Sequence, residues 1–247
     1  MALDDTPRAV ATTDAYIRHV AHDLRASLNT VVGWAELVKA GHLSADDGAR
    51  AGATIVRHAR QLSQRLADAL DAWRLDIGLL EVDVRRQPVA PAVKAAVEAA
   101  VPALDNRQVA CDLDMGIDDA PAAFDPARLV QAVGLLLADA AANTPPGGRI
   151  GVQLSRDGDR ALIAVRSGGR MPGAAAFDTS PRDTRPDPSA RAYNFALPLA
   201  HALVARQGGT LRAEPDGEAG VRFLVHLAPD RGTTGEAESS APGAPPT

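Results

Sequence analysis

The chain has 247 residues, room for one sizeable domain or two small ones, and 46% of them are hydrophobic, ample for a core in each. Its net charge of -5 at pH 7, with basic residues scattered among acids, argues against a nucleic-acid partner, because neutralising phosphates takes clustered Lys and Arg. Aromatic residues make up only 3% while alanine abounds, which suits closely packed helices better than a β-sandwich.

The chain starts with MALDDTPRAVATTDAY, which lacks a basic region followed by an apolar stretch. The most apolar run, residues 129–138, is too short to cross a bilayer. No membrane segment is expected. Because only about a dozen unpatterned residues precede the first helix, signal sensing is expected to fall to another protein. The single cysteine, Cys111, cannot make an internal disulfide and lies in an alternating stretch, so it reads as a small core residue of a protein in a reducing cytoplasm.

From Ile17 onward, Ile17, Val20, Leu24, Leu28, Val31, Ala35 and Val38 recur every three or four positions, as in a helix of a coiled-coil-like bundle. Gly41 can end this helix in the left-handed conformation, and Ser44 with Asp47 reads as a capping box opening a second. In the second helix Val56, Ala59, Leu66, Leu70, Trp73, Ile77 and Leu80 repeat the spacing, with Leu62 and Ala69 broadening the stripe. Two such helices predict an antiparallel hairpin. A lone hairpin cannot bury both stripes, so pairing with a second copy into a four-helix bundle, a homodimer, is expected.

After Glu81 the texture becomes α+β. Strands are predicted over 82–84, 109–113, 150–154, 162–165 and 221–227, and helices over 91–103, 126–143 and 193–206, the last ending at Gly208-Gly209. Residues 173–189, rich in proline and aspartate, read as a loop. The expected division is a helical hairpin over 1–80, an α/β domain over 81–230 and a disordered tail over 231–247.

At 100 degrees per residue, Arg18, His22, Arg25 and Asn29 fall opposite the apolar stripe, so His22 should face solvent. An exposed imidazole keeps a pKa near 6.5 and is largely neutral at pH 7, hence a nucleophile toward phosphorus. Asp23 can orient its other ring nitrogen. On periodicity alone this is an ordinary surface histidine. His19 and His22 share a spacing that can seat a metal, but no carboxylate-histidine motif supports one, and no resident metal is expected. His42, His58, His201 and His226 share no motif and read as structural or surface residues.

The run His22-Asp-Leu-Arg-Ala-Ser-Leu-Asn-Thr-Val-Val-Gly-Trp-Ala-Glu-Leu resembles the phosphoacceptor box of histidine kinases, usually His-Glu-Leu-Arg-Thr-Pro-Leu before an apolar helix. The stretch from Leu66 to Gly78 is similar to the same family's second hairpin helix. Two departures stand out: Ser27 replaces a proline that kinks the helix, and Ala26 replaces a threonine that positions water for dephosphorylation.

Further on, the stretch from Asp125 to Ile150, with Thr144-Pro-Pro-Gly-Gly, resembles the N-box region of the GHKL ATPase fold in these kinases, and Asp139 stands where the family has a magnesium-holding asparagine. Arg166-Ser-Gly168-Gly-Arg-Met-Pro aligns with Asp-x-Gly-x-Gly-Ile-Pro, so Arg166, with donors only, stands at the adenine-accepting aspartate and Arg170 at the second glycine. Ala192-Tyr-Asn194-Phe-Ala-Leu aligns with the phosphate-binding Gly-x-Gly-Leu-Gly-Leu and retains no glycine.

The resemblance therefore implies a dimeric hairpin followed by a degenerate Bergerat-type α/β sandwich, with no tightly bound cofactor. It includes histidine phosphotransferases with a kinase-like hairpin and a degenerate ATP-binding domain. Their activity would make this chain a phosphorelay shuttle: His22 exchanges a phosphoryl group with receiver-domain aspartates, Arg25 steadies its oxygens, and the receiver supplies Mg2+. An upstream hybrid histidine kinase would charge it. A divergent ATP-dependent sensor histidine kinase and a non-catalytic pseudokinase that regulates a kinase or receiver are the alternatives.

Overall fold

The computed structural model describes residues 24–25, 28–41, 43–116, 121–169, 172, 196–217 and 220–228. They fall into two compact units: those up to Val82 with 172 and 196–203, and those in 83–169 with those from Val204 onward.

The first unit is a helical hairpin. Helix α1 covers 28–39, with 24–25 also helical, and Gly41 follows it at φ +70°, the left-handed conformation that ends a helix. Helix α2 spans Ala45–Asp76. Ser44 caps it: its Oγ accepts from the Asp47 backbone N–H at 3.2 Å and donates to the Asp47 carboxylate at 2.6 Å. The N-cap half of the predicted capping box is thus present, with the Asp47 carboxylate turned to the Ser44 hydroxyl, and the connection is as short as the spacing implies. The apolar stripes of both helices are open in the single chain. Leu28, Val38, Val56, Leu66, Leu70, Trp73 and Ile77 are all exposed, whereas Leu80 at the end of the stripe is buried.

The second unit begins with β1 (Arg85–Pro88), α3 (Ala90–Asn106), β2 (Ala110–Met115), β3 (Pro121–Phe124) and α4 (Pro126–Asn143). Strands β4 (Arg149–Asp157) and β5 (Arg160–Ser167) follow, then α5 (Ala196–Arg206), which straddles the division between units, and finally β6 (Thr210–Asp216) and β7 (Gly220–His226). Strands β1 and β3 form a small antiparallel pair. The main sheet runs β2-β4-β5-β7-β6, with β2 parallel to β4 and every other pairing antiparallel. Helix α3 packs on α4 and β2, and α4 reaches β4 and β5.

Period-two alternation gives this sheet two unlike faces. Ile150, Val152 and Leu154 of β4, Ile163 and Val165 of β5, and Val221, Phe223 and Val225 of β7 form a fully buried inner face. The opposite face carries Asp112, Asp114, Gln153, Arg166, Glu214 and Arg222, joined by contacts such as Gln153 to Asp114 at 3.0 Å and Arg222 to Glu214 at 3.2 Å. Cys111, read from sequence as core, is only half-buried, because β2 is an edge strand.

Asp125 ties together three segments of this unit. As N-cap of α4 its carboxylate accepts from the Arg128 N–H at 3.2 Å and from the Asp83 N–H at 2.9 Å. Its own backbone N–H donates to the buried Gln207 Oε1 at 2.7 Å. The fold is thus a helical hairpin followed by a mixed sheet with helices, as expected from the sequence. The predicted loop over 173–189 and the tail over 231–247 lie outside the described residues.

Candidate functional site

Two groups of residues carry the chemistry expected of this chain. In the first, His22 and Asp23 lie outside the described residues, and Arg25 is helical and exposed. Asn29, which the sequence pattern puts on the same side as Arg25, is exposed too, while Leu24 of the apolar stripe is partly covered.

The second group lies where the end of α4 meets the end of β5. Asp139 is buried near the C-terminus of α4, and the helix is finished there by its own side chains. Asn143 Nδ2 donates to the Asp139 carbonyl at 2.9 Å, and Thr144 Oγ1 donates to the Ala140 carbonyl at 2.8 Å, satisfying carbonyls that a helix end otherwise leaves open. The Thr144-Pro-Pro-Gly-Gly turn then leads into β4, and the Gly147 N–H donates to the Gln108 carbonyl at 2.7 Å.

Arg166 does not face this junction. It lies directly opposite Gly151 on one side and Arg222 on the other, on the polar face of the sheet, and its Nη2 donates to Gln153 Oε1 at 3.2 Å. The inward residue is its neighbour Ser167, in register with Ile150 and Val221 and buried. The glycines follow the same shift. A Cβ on Gly168 would meet nothing within 4 Å, whereas one on Gly169 would stand 2.8 Å from Asn143 Cβ. The backbone thus needs a glycine at 169, two residues after Ser167.

The inward side chain at the end of β5 is thus Ser167, while Arg166, placed at the motif's aspartate by the sequence alignment, lies on the polar face. The signal was in the sequence. Ile163 and Val165 alternate into the core, so the next inward position is 167 and not 166. Asn194, the degenerate phosphate-loop position, lies outside the described residues, as does Arg170. Among the other histidines, His226 Nε2 pairs with Asp157 at 3.0 Å on the sheet, while His58 and His201 lie on helices α2 and α5.

A two-helix hairpin joined to a unit of this sheet order and helix cover is the architecture of the cytoplasmic core of histidine kinases, and the fold of this chain is histidine-kinase-like. Among solved structures it is similar to the histidine kinase AdeS of Acinetobacter baumannii, at TM-score 0.56 and 16% identity over 85% of this chain and 98% of AdeS. It is equally similar to full-length ShkA in complex with AMPPNP, at TM-score 0.56 and 19% identity over 87% of this chain and 45% of ShkA. The cytoplasmic segment of the histidine kinase QseC matches at TM-score 0.52 and 15% identity over 67% of this chain and 95% of that segment. Among characterised sequences, the sensor protein DivL of Caulobacter vibrioides is 27% identical over 238 residues. That match takes in 92% of this chain, which spans 30% of DivL's length. No protein-family model matches the chain. No helix among the described residues is long and apolar enough to cross a membrane.

Proposed function

We propose that this chain is a two-component signalling protein of the histidine-kinase type in which His22 carries a phosphoryl group exchanged with receiver-domain aspartates. The observation that carries this reading is the His22-Asp-Leu-Arg box at the head of a helical hairpin that is joined to an ATPase-type α/β unit. A second copy of the chain completes the bundle, and response-regulator receivers dock on it. In the transfer the neutral imidazole attacks phosphorus in line, a P–N bond forms as the P–O bond of the aspartyl phosphate breaks, and the carboxylate departs. Asp23 holds the other ring nitrogen, Arg25 steadies the phosphoryl oxygens, and Mg2+ comes with the receiver.

Two sources of the phosphoryl group separate the finer readings. In the first the chain is a divergent ATP-dependent kinase. Its support is the likeness to AdeS over both units and the retention of a carboxylate, Asp139, where a magnesium ligand is required. In the second it is a phosphotransferase charged by an upstream hybrid kinase. Its support is the absence of an acidic side chain at Arg166 and at its neighbour Ser167, where the adenine-accepting aspartate is expected, and the loss of every glycine from 192–197.

Incubation with γ-labelled ATP and Mg2+, then separately with a phosphorylated receiver, tests both. Label on His22 from ATP alone establishes the kinase, and label from the receiver alone establishes the shuttle. Transfer that survives in His22→Ala would sink the reading altogether.

A further inference from the structure

Strand β2 forms one margin of the main sheet and pairs on one side only, with β4, in an unbroken parallel register from Ala110 to Met115. The Ala110 N–H donates to the carbonyl of Gly148, just before β4, at 3.0 Å. In a parallel ladder both backbone groups of a residue point the same way, and successive residues alternate. Ala110, Asp112 and Asp114 therefore bond to β4, and the N–H and C=O groups of Cys111, Leu113 and Met115 point to the open side. Sheet edges are ordinarily blunted by proline, lysine or a bulge. The opposite edge strand, β6, carries Pro215, whereas β2 has none of these devices.

The two flanks of this edge differ in chemistry. On the helix-covered side, Leu113 is in register with the buried Val152 yet is itself exposed. Helix α3 packs on β2, and its Val101, spaced to share a stripe with the buried Val97 and Leu104, is exposed as well. The apolar layer thus reaches this margin uncovered. On the other side stand Asp112 and Asp114. Arg149 holds Asp112 at 2.5 Å, while Asp114 accepts from the neutral Gln153 amide at 3.0 Å and meets no cation among the described residues.

We infer that β2 is a docking edge for an extended segment of a partner protein, one in which arginine or lysine alternates with apolar residues. The segment adds a sixth strand to the sheet, paired through the open backbone groups of Cys111, Leu113 and Met115. Its apolar side chains continue the inner layer beside Leu113, and its basic ones stand beside Asp112 and Asp114. A second copy of β2 is a poor occupant, because two such strands in register set carboxylates against carboxylates in either direction. The inference does not depend on how His22 is charged.

The probe is an end-blocked peptide of alternating arginine and valine, about eight residues long and so within the usual span of a strand. It is added to the full chain, with an alternating glutamate and valine peptide as control, and amide exchange is followed residue by residue by NMR. In the free chain Cys111, Leu113 and Met115 should exchange faster than Asp112 and Asp114. The basic peptide at saturation should slow the first set by about tenfold or more, and the acidic one should not. Leu113→Pro removes an N–H that serves no ladder bond, so the cooperative melt should persist while the protection is lost. Asp114→Lys should weaken the basic peptide by about 3- to 10-fold, and it decides the matter if the proline variant does not fold. Equal exchange of the two sets in the free chain would overturn the docking edge. So would protection by neither peptide, protection by both alike, or protection that survives both substitutions.

Discussion

At Gly169 a single hydrogen decides the local geometry. Asn143 Cβ stands 2.8 Å from the place a side chain would occupy, and a Cβ, fixed directly to its Cα, cannot rotate away. Gly169→Ala should therefore lower stability by about 1–3 kcal/mol, as overpacking does, while Gly168→Ala, with nothing within 4 Å, should change it by less than about 0.5 kcal/mol. Urea midpoints of the two variants check this, and equal losses would show that the turn is not held as described. Residue identity in this region was only partly legible from sequence. The motif's glycines suggested a ligand-binding turn, but two adjacent glycines allowed two registers, and only the inward or outward side of the sheet chooses between them. Cys111 shows the same limit: alternation put it on the inner face, but not on an edge strand. Partial burial pushes its thiol above its ordinary pKa, with Asp112 adding to the shift. The folded state thus favours the protonated thiol, and its reaction with a thiolate-specific reagent at pH 8 should be slower than in urea. A rate equal to that of the unfolded chain would contradict the burial.

Elements made by local sequence were the legible ones. Helix α4 occupies the predicted residues, 126–143, because Pro126 suits a first turn and Asp125 supplies the cap. The cap's further partners could not be read, since Asp83 and Gln207 are distant in sequence and meet Asp125 only after folding. Asp125→Ala should cost about 1–2 kcal/mol through the cap, and Asp125→Asn should recover part of that, since an amide oxygen still accepts from Arg128. Chemical denaturation of the pair measures both, and an alanine variant as stable as the parent would remove Asp125 from this role. Strands placed by non-local pairing were harder. The sequence pointed to 82–84, yet the strand is Arg85–Pro88, whose two arginines and proline carry no alternation and which forms because it pairs with Pro121–Phe124. That partner, reading Pro-Ala-Ala-Phe, was missed for the same reason.

For the molecule as a whole, the hairpin poses the question that a single chain leaves open. Leu66 is 48% exposed, Leu70 44% and Trp73 47%, and on the other helix Leu28 and Val38 are 49% and 44% exposed. These residues follow the 3.5-residue spacing of a bundle seam, and side chains of this kind each gain about 1.5–3 kcal/mol when taken out of water. A stripe of this size on both helices is more apolar surface than an isolated hairpin sustains, and a second copy offers the same stripe in return. The chain should therefore sediment as a dimer at micromolar concentration. Leu70→Glu places a charge in the middle of the seam, where a dimer would have to desolvate it or bring two carboxylates together. It should shift the protein to a monomer while the melt of the α/β unit persists, because Leu70 belongs to the hairpin and the sheet's core is made by other residues. Sedimentation velocity reads the first outcome and calorimetry the second. A parent chain that runs as a monomer would mean that the stripe is covered by something other than its own copy, and the bundle on which His22 is proposed to act would need a different partner.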